Sequence, residues 1–212
     1  MLRSRVLSFA KKCYVMCRRE VHSAQTSRTE EEAAVYVHWP YCEKRCTYCN
    51  FNKYIAQSDN EGAIRACLLQ EASTLIQLSQ VRRVPSVFFG GGTPSLASPH
   101  TIAAVLEVIS KHAYLPHNAE ITLEANPTSS KRRKLQQFRD AGVTRLSVGL
   151  QSLDDGDLQL LGRTHTASEA LDTLKEACKL FPSRTSVDVM FRSSRSKPGS
   201  VAQHLREAFG PV

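Results

Sequence analysis

The chain has 212 residues, 42% of them hydrophobic and 23% charged, an ordinary globular composition with enough length for one sizeable core. Its net charge of +8 sits at the ends: residues 1–29 carry seven Lys/Arg against one acidic residue, residues 191–212 four against one, and the body between them 17 basic against 18 acidic. A neutral body with basic ends argues against a nucleic-acid-binding face, the lack of any run near about 18 apolar residues argues against a membrane span, and seven cysteines without an even framework argue against a disulfide-stapled secreted domain.

Residues 1–29 bring Arg3, Arg5, Lys11, Lys12, Arg18, Arg19 and Arg28 together with serines and Glu20 alone. Arg-rich, Ser-bearing, acid-poor leaders of this kind are mitochondrial transit peptides, disordered or helical, so a mitochondrial location is expected and Cys13 and Cys17 would leave with the leader. From Ala33 the pattern alternates, with Ala33, Val35, Val37 and Trp39 on one face and Tyr36 and His38 on the other, and Pro40 stops this first strand. Residues 60–80 follow with Ile64, Leu68, Ala72, Leu75 and Ile76 at helical spacing. Cys67 in this helix, and Cys178 in a later one, read as small buried hydrophobes.

Ser86 to Phe89 is a short apolar run entering Gly90-Gly91-Gly92, as expected of a buried parallel strand feeding a loop where backbone must come close to something. Ser98 and Pro99 then read as N-cap and first residue of a helix with Ile102, Val105, Leu106 and Ile109 on its apolar stripe. A third strand spans 119–126, Pro127 closes it, Thr128 can cap a helix carrying Leu135 and Phe138, and Gly142 supplies the left-handed stop. In that helix the basic run Lys131 to Lys134 reads as a solvated face, since no aromatic residues for base stacking accompany it. Residues 143–150 form a fourth strand, 154–161 a short helical piece, Thr166 or Ser168 opens a helix through Leu171, Leu174 and Cys178, and residues 185–191 form a fifth strand. Strands alternating with helices imply an α/β fold with a parallel sheet and right-handed crossovers.

The chemistry is concentrated at the exit of the first strand. Cys42, Cys46 and Cys49 place three thiols within eight residues, and thiolates are soft ligands that select iron-sulfur clusters, zinc or copper. Zinc in a structural site wants four protein ligands. The nearest fourth donor, His38, lies four residues before Cys42 on the strand and reads as a core or rim histidine, so a structural zinc-binding module is kept as the alternative from another class.

The Cx3CxxC spacing, joined to Gly90-Gly91-Gly92-Thr93-Pro94 about forty residues later, resembles the radical S-adenosylmethionine (SAM) superfamily. Residues 36–42 and 90–95 are similar to its oxygen-independent coproporphyrinogen-dehydrogenase group, which includes haem chaperones. The resemblance implies a partial (β/α)6 radical SAM barrel, a 4Fe-4S cluster on Cys42, Cys46 and Cys49 with one iron left open, SAM, and an electron donor whose electron, passed through the cluster, breaks the sulfonium C–S bond. It places Tyr36, Gly91 and Glu124 around one SAM, and Tyr48, Gly92, Thr93, Gln151, Arg163 and Asp188 near a second site that the dehydrogenases fill with another molecule. On the residues alone, Arg163 and Asp188 could instead form an internal salt bridge, and Asp188, inside an apolar strand, would be a costly buried charge unless paired.

The dehydrogenases carry a further cysteine after the motif, whereas Asn50-Phe51 follows Cys49 here. That departure matches the haem-chaperone branch, so binding of haem and its transfer to a haem-accepting protein are expected in place of coproporphyrinogen III dehydrogenation, which stays as the alternative. Past Phe191 the family continues with a Gly-Leu-Pro turn, a helix, a sixth strand and a further domain, while this sequence turns basic and polar at residues 192–200, with a weak helix at 201–209. The expected organisation is therefore a leader at 1–29, a barrel core at 30–191 truncated after the fifth strand, and a non-family tail at 192–212. Such a chain is expected to take up the cluster, bind haem weakly and be only marginally stable.

Overall fold

The computed structural model describes residues 14–19, 31–55 and 60–190, the first of these segments by its backbone alone. The rest of the expected leader, the end of the fifth strand at Phe191, and the basic tail at 192–212 with its weak helix lie outside the described residues. Strand β1 (Tyr14–Arg19) is followed by β2 (Ala33–Trp39), the two-residue strands β3 (Tyr41–Cys42) and β4 (Tyr54–Ile55), and helix α1 (Glu61–Ser79). Then come β5 (Ser86–Gly91), α2 (Pro99–His112), β6 (Glu120–Ala125), α3 (Arg132–Asp140), β7 (Arg145–Gln151), α4 (Asp155–Leu160), α5 (Ala167–Leu180) and β8 (Thr185–Val189).

The main sheet runs in the order β1-β2-β5-β6-β7-β8, and from β2 onward every neighbour is parallel and next in chain order. Because that order never reverses, right-handed crossovers put all the helices on one face, and the sheet is wound in one sense as in a barrel. The core lies between this face and the helices: Val35, Val37, Val87, Leu123, Leu146 and Val148 meet Ile64, Leu68, Ile102, Val105, Phe138 and Leu174. The opposite face carries Tyr36, Phe88 and Thr122 on one rung and Glu124, Ser147 and Ser186 on another, with Gly149 beside Asp188. From β2 onward one face of the main sheet is thus apolar and packed, and the inward face turns polar toward the strand exits, beyond Tyr36 and Phe88.

Local signals set the helix ends. Ser98 accepts the Thr101 N–H ahead of Pro99, Asp154 accepts the Asp157 N–H, and Thr166 with Glu169 forms a reciprocal capping box that starts α5. Gly142, at φ 103°, ends α3 as expected. Thr128 does not cap α3: Pro127 opens a 3-10 turn, Pro127–Ser129, whose N-terminus is capped by Asn126, and the α-helix begins only at Arg132 behind Lys131.

Two further expectations are corrected. Residues 14–19, assigned by composition to a disordered or helical leader, form an antiparallel strand on β2, from Tyr14 beside His38 to Arg19 beside Ala33. Tyr14, Val15 and Met16 are good strand formers, and the edge of β2 offers them a row of backbone partners. Cys178 is exposed and Cys67 half-buried, because Ala170, Thr173, Leu174 and Ala177 take the buried stripe of α5, as Ile64, Leu68, Ala72 and Ile76 take that of α1.

Packing and capping therefore make different demands on stability. Phe138 is fully buried, so Phe138→Ala is expected to cost about 3–5 kcal/mol, whereas Thr166→Ala, which removes one cap, is expected to cost about 1 kcal/mol. Urea unfolding of both variants tests this, and equal losses would contradict the core assignment.

Candidate metal and cofactor site

Three segments hold the cysteine loop. From β5, Gly92 N–H donates to Trp39 O at 2.6 Å and Thr93 N–H to Tyr41 O at 2.8 Å. From the loop's own end, β4 pairs in parallel with β3, Tyr54 N–H donates to Pro40 O at 2.8 Å, and His38 Nε2 donates to Asn52 O at 2.8 Å. From behind α4, Leu161 O accepts the Thr47 N–H at 3.2 Å and Leu160 O the Thr47 hydroxyl at 3.1 Å. His38 is accordingly a buried rim residue serving the loop.

The glycine run earns its composition here in a way the sequence did not reveal. A Cβ on Gly92 would lie 2.5 Å from Tyr41 O and 2.9 Å from Trp39 O, and one on Gly91, at φ 102°, 2.5 Å from His38 Nδ1. These glycines let β5 lie directly against the exit of β2. Gly162 needs glycine for its φ of 74° and not for space, and its turn sets the α4–α5 loop beside the backbone of Arg45, Cys46 and Thr47.

Cys42 is buried, Cys46 and Cys49 are half-buried, and all three thiols are free. They line one cleft together with Tyr48, Gly91, Gly92, Thr93, Glu124, Gln151, Arg163 and Asp188. The cleft is open to solvent at its mouth. Tyr36 does not line the cleft; it sits one inward-facing position before His38, stacked on Phe88 at 6.0 Å between ring centres. Burial, reinforced by Glu124, pushes its phenol up to about 12.

Arg163 is the hub of the far wall. Its guanidinium donates to Gly149 O at 2.9 Å, Asn126 Oδ1 at 3.1 Å, Tyr48 Oη at 3.5 Å and Cys46 Sγ at 3.7 Å, while its buried Nε has no partner among the described residues. Burial pushes the Tyr48 phenol up to about 12 against the pull of this cation. The alternative salt bridge with Asp188 is not formed. Asp188 accepts the Ser147 hydroxyl at 3.2 Å and is exposed, not buried, because the inner face of β8 opens into the cleft. Gln151 adopts φ 69° at a break in register between β7 and β8, a conformation costly for a non-glycine residue and typical of functional sites.

Burial of the Cys42 thiol pushes its pKa up, against a 3.4 Å hydrogen bond from the Thr93 hydroxyl and the charge of Lys53. Glu124 is raised from 4.5 to about 7, first by burial and then by Asp188, with the Gly91 N–H opposing. Among the described residues no three His, Cys, Asp or Glu side chains converge on a single metal ion. Three free thiols spread along one cleft, beside an orphaned guanidinium N–H, suit a polynuclear cluster with an adjoining anionic ligand better than a closed mononuclear zinc site. Reading the sequence missed Lys53, Asn126 and Ser147; only Asn126, at a strand exit before a proline, carried a usable signal.

A singly wound parallel sheet with a three-cysteine loop over its polar face defines a class, and the chain belongs to the radical SAM superfamily, which it matches over residues 36–193. It is 67% identical over 176 residues to radical S-adenosyl methionine domain-containing protein 1, mitochondrial, of Bos taurus, covering 83% of this chain and 40% of that protein. To heme chaperone HemW of Haemophilus influenzae it is 42% identical over 142 residues, covering 65% of this chain and 37% of the relative. Among solved structures it is similar to the radical SAM enzyme coproporphyrinogen III oxidase, HemN, from Escherichia coli, with a TM-score of 0.70 and 26% identity over 81% of this chain and 40% of that one. The chain thus spans about 40% of the length of these relatives. Membership of the superfamily implies a 4Fe-4S cluster and SAM as cofactors.

The raised Glu124 has a consequence for stability. Its folded pKa of about 7 lies above the ordinary 4.5, so its contribution is fully present below pH 4.5 and is lost as pH rises through 7. Glu124→Gln is expected to gain on the wild type by on the order of 3 kcal/mol between pH 4.5 and 8. Denaturant unfolding of both proteins across that range checks this, and a constant difference would contradict it.

Proposed function

We propose that this chain is the cluster- and SAM-binding core of a mitochondrial haem chaperone. The observation that carries the reading is the cysteine loop itself: Cys42, Cys46 and Cys49 face one cleft, and Asn50-Phe51, with Phe51 60% exposed, stands where the dehydrogenases have a further cysteine. Relatives named heme chaperone and the mitochondrial relative support it, as does the Arg-rich leader.

In this reading Cys42, Cys46 and Cys49 would hold the cluster through three thiolates, and one iron would lack a protein thiolate. The bound cluster and SAM together supply reductive cleavage of the sulfonium. The protein's part is to bind and orient. Glu124, raised to about 7 and held by the Gly91 N–H, would accept a hydrogen bond from the amino group of a bound SAM, which would favour its charged form, with Tyr36 close by. The free Arg163 Nε offers a donor to a carboxylate or hydroxyl of a second ligand, and Tyr48, Gly92, Thr93, Gln151 and Asp188 complete that second position. Haem, a haem-accepting protein and an electron donor are the implied partners.

Anaerobic reconstitution tests the ligand set. The wild type is expected to take up about four irons and four sulfides, and Cys→Ala at 42, 46 or 49 to abolish uptake while Cys67→Ala and Cys178→Ala retain it. Loss at Cys67 would overturn the assignment, and zinc without sulfide would restore the structural-module reading. Incubated with coproporphyrinogen III, SAM and dithionite, a protein carrying this core at its relatives' full length is expected to form no protoporphyrinogen and to bind haem; product formation would establish the dehydrogenase instead.

A further inference from the structure

Lys53 is 7% exposed, yet the partner of its ammonium is a neutral group, Cys49 O at 3.1 Å. Four residues after Cys49, it folds back over the end of the cysteine loop and lines the same cleft. Arg163 likewise donates to neutral oxygens and to Cys46 Sγ. Among the described residues neither cation forms an ion pair with a carboxylate, although Glu43, Glu124 and Asp188 line the cleft. Glu43 instead accepts the Thr128 hydroxyl and Asp188 the Ser147 hydroxyl.

A buried ammonium without a counter-charge is costly, and the cost is not met by a single carbonyl. Both cations lie against the cysteine loop, one on Cys49 and one on Cys46, and the charge of Lys53 also reaches Cys42. Free thiols are neutral, but metal binding deprotonates them. The missing negative charge therefore arrives with the metal.

We propose that Lys53 and Arg163 are the counter-charges of the Cys42, Cys46 and Cys49 thiolates, and that Lys53 is a positioning residue that raises the cluster's reduction potential. The proposal rests on the cluster assignment made above. One-electron reduction adds a negative charge to the cluster, and a fixed cation held in a water-poor pocket stabilises the reduced form more than the oxidised one. The Thr93 hydroxyl on Cys42 acts in the same direction. The cluster can then accept its electron from a weaker donor than it could without Lys53.

The test uses the full chain, reconstituted anaerobically as wild type, Lys53→Met and Lys53→Arg. Iron content is measured first, and then the midpoint potential, by titration with dithionite as the electron source and the EPR signal of the reduced cluster as the readout. With all three loaded, Lys53→Met is expected to lower the reduced-to-oxidised ratio at fixed potential at least tenfold, about 59 mV for one electron, and Lys53→Arg to stay near the wild type. Loss of the cluster in Lys53→Met with retention in Lys53→Arg also supports the charge pairing. An unchanged midpoint in loaded Lys53→Met, or equal loss of the cluster in both variants, overturns it and leaves Lys53 a packing residue. A wild type that takes up no iron defeats the cluster assignment itself.

Discussion

Two backbone hydrogen bonds, from Gly92 N–H to Trp39 O and from Thr93 N–H to Tyr41 O, tie the cysteine loop to the parallel sheet. The loop is otherwise short of apolar anchors: Cys42 is buried, but Glu43, Lys44, Arg45, Thr47 and Asn50 are exposed. Such a segment cannot hold three thiols in place by burial, so backbone hydrogen bonding must do it. The close approach requires glycine, because any Cβ at Gly92 would strike Tyr41 O. The same contact brings Thr93 to the sulfur of Cys42 and Gly91 to the carboxylate of Glu124, so one constraint assembles both the thiol side and the carboxylate side of the cleft.

The division of the sheet into an apolar outer face and a polar inner face follows from the unreversed strand order. All helices cover one side, and there the core residues are packed to exclusion of water. Among the described residues the inner side has no such cover at its upper rungs, so Glu124, Ser147, Ser186 and Asp188 can stand side by side, with Asp188 exposed and Glu124 half-buried. Burial, and then the neighbouring charge of Asp188, makes Glu124 hold its proton above the ordinary carboxylate range. The site therefore holds one exposed and one largely buried carboxylate, alongside cations that have no carboxylate partner among the described residues.

Much of this architecture is written in local pattern. The alternation of Ala33, Val35, Val37 and Trp39, the apolar stripes of α1 and α2, the Ser98-Pro99 start and the Thr166 capping box each use a short-range signal that the tertiary structure leaves in place. The misreadings come from competition between neighbours. Asn126 and Pro127 set up a separate 3-10 turn, so the α-helix expected to start at Thr128 begins only at Arg132, and Cys178 falls one residue outside the buried stripe. The site was legible as a set of strand-exit residues, but not as a network: Lys53 gave no signal, and the sequence placed Arg163 near a second site without the sulfur and three oxygens that the fold brings around its guanidinium. Long-range contacts of that kind leave no periodicity in the chain.

The central claim is that this loop and cleft hold a three-thiolate cluster whose remaining iron is open to SAM. It is tested most directly by the EPR spectrum of the reconstituted, reduced chain recorded with and without SAM under exclusion of oxygen. The account predicts a reduced 4Fe-4S signal whose g-values change when SAM is added. A cluster signal that SAM leaves unaltered, or a chain that carries zinc and no sulfide, would contradict it.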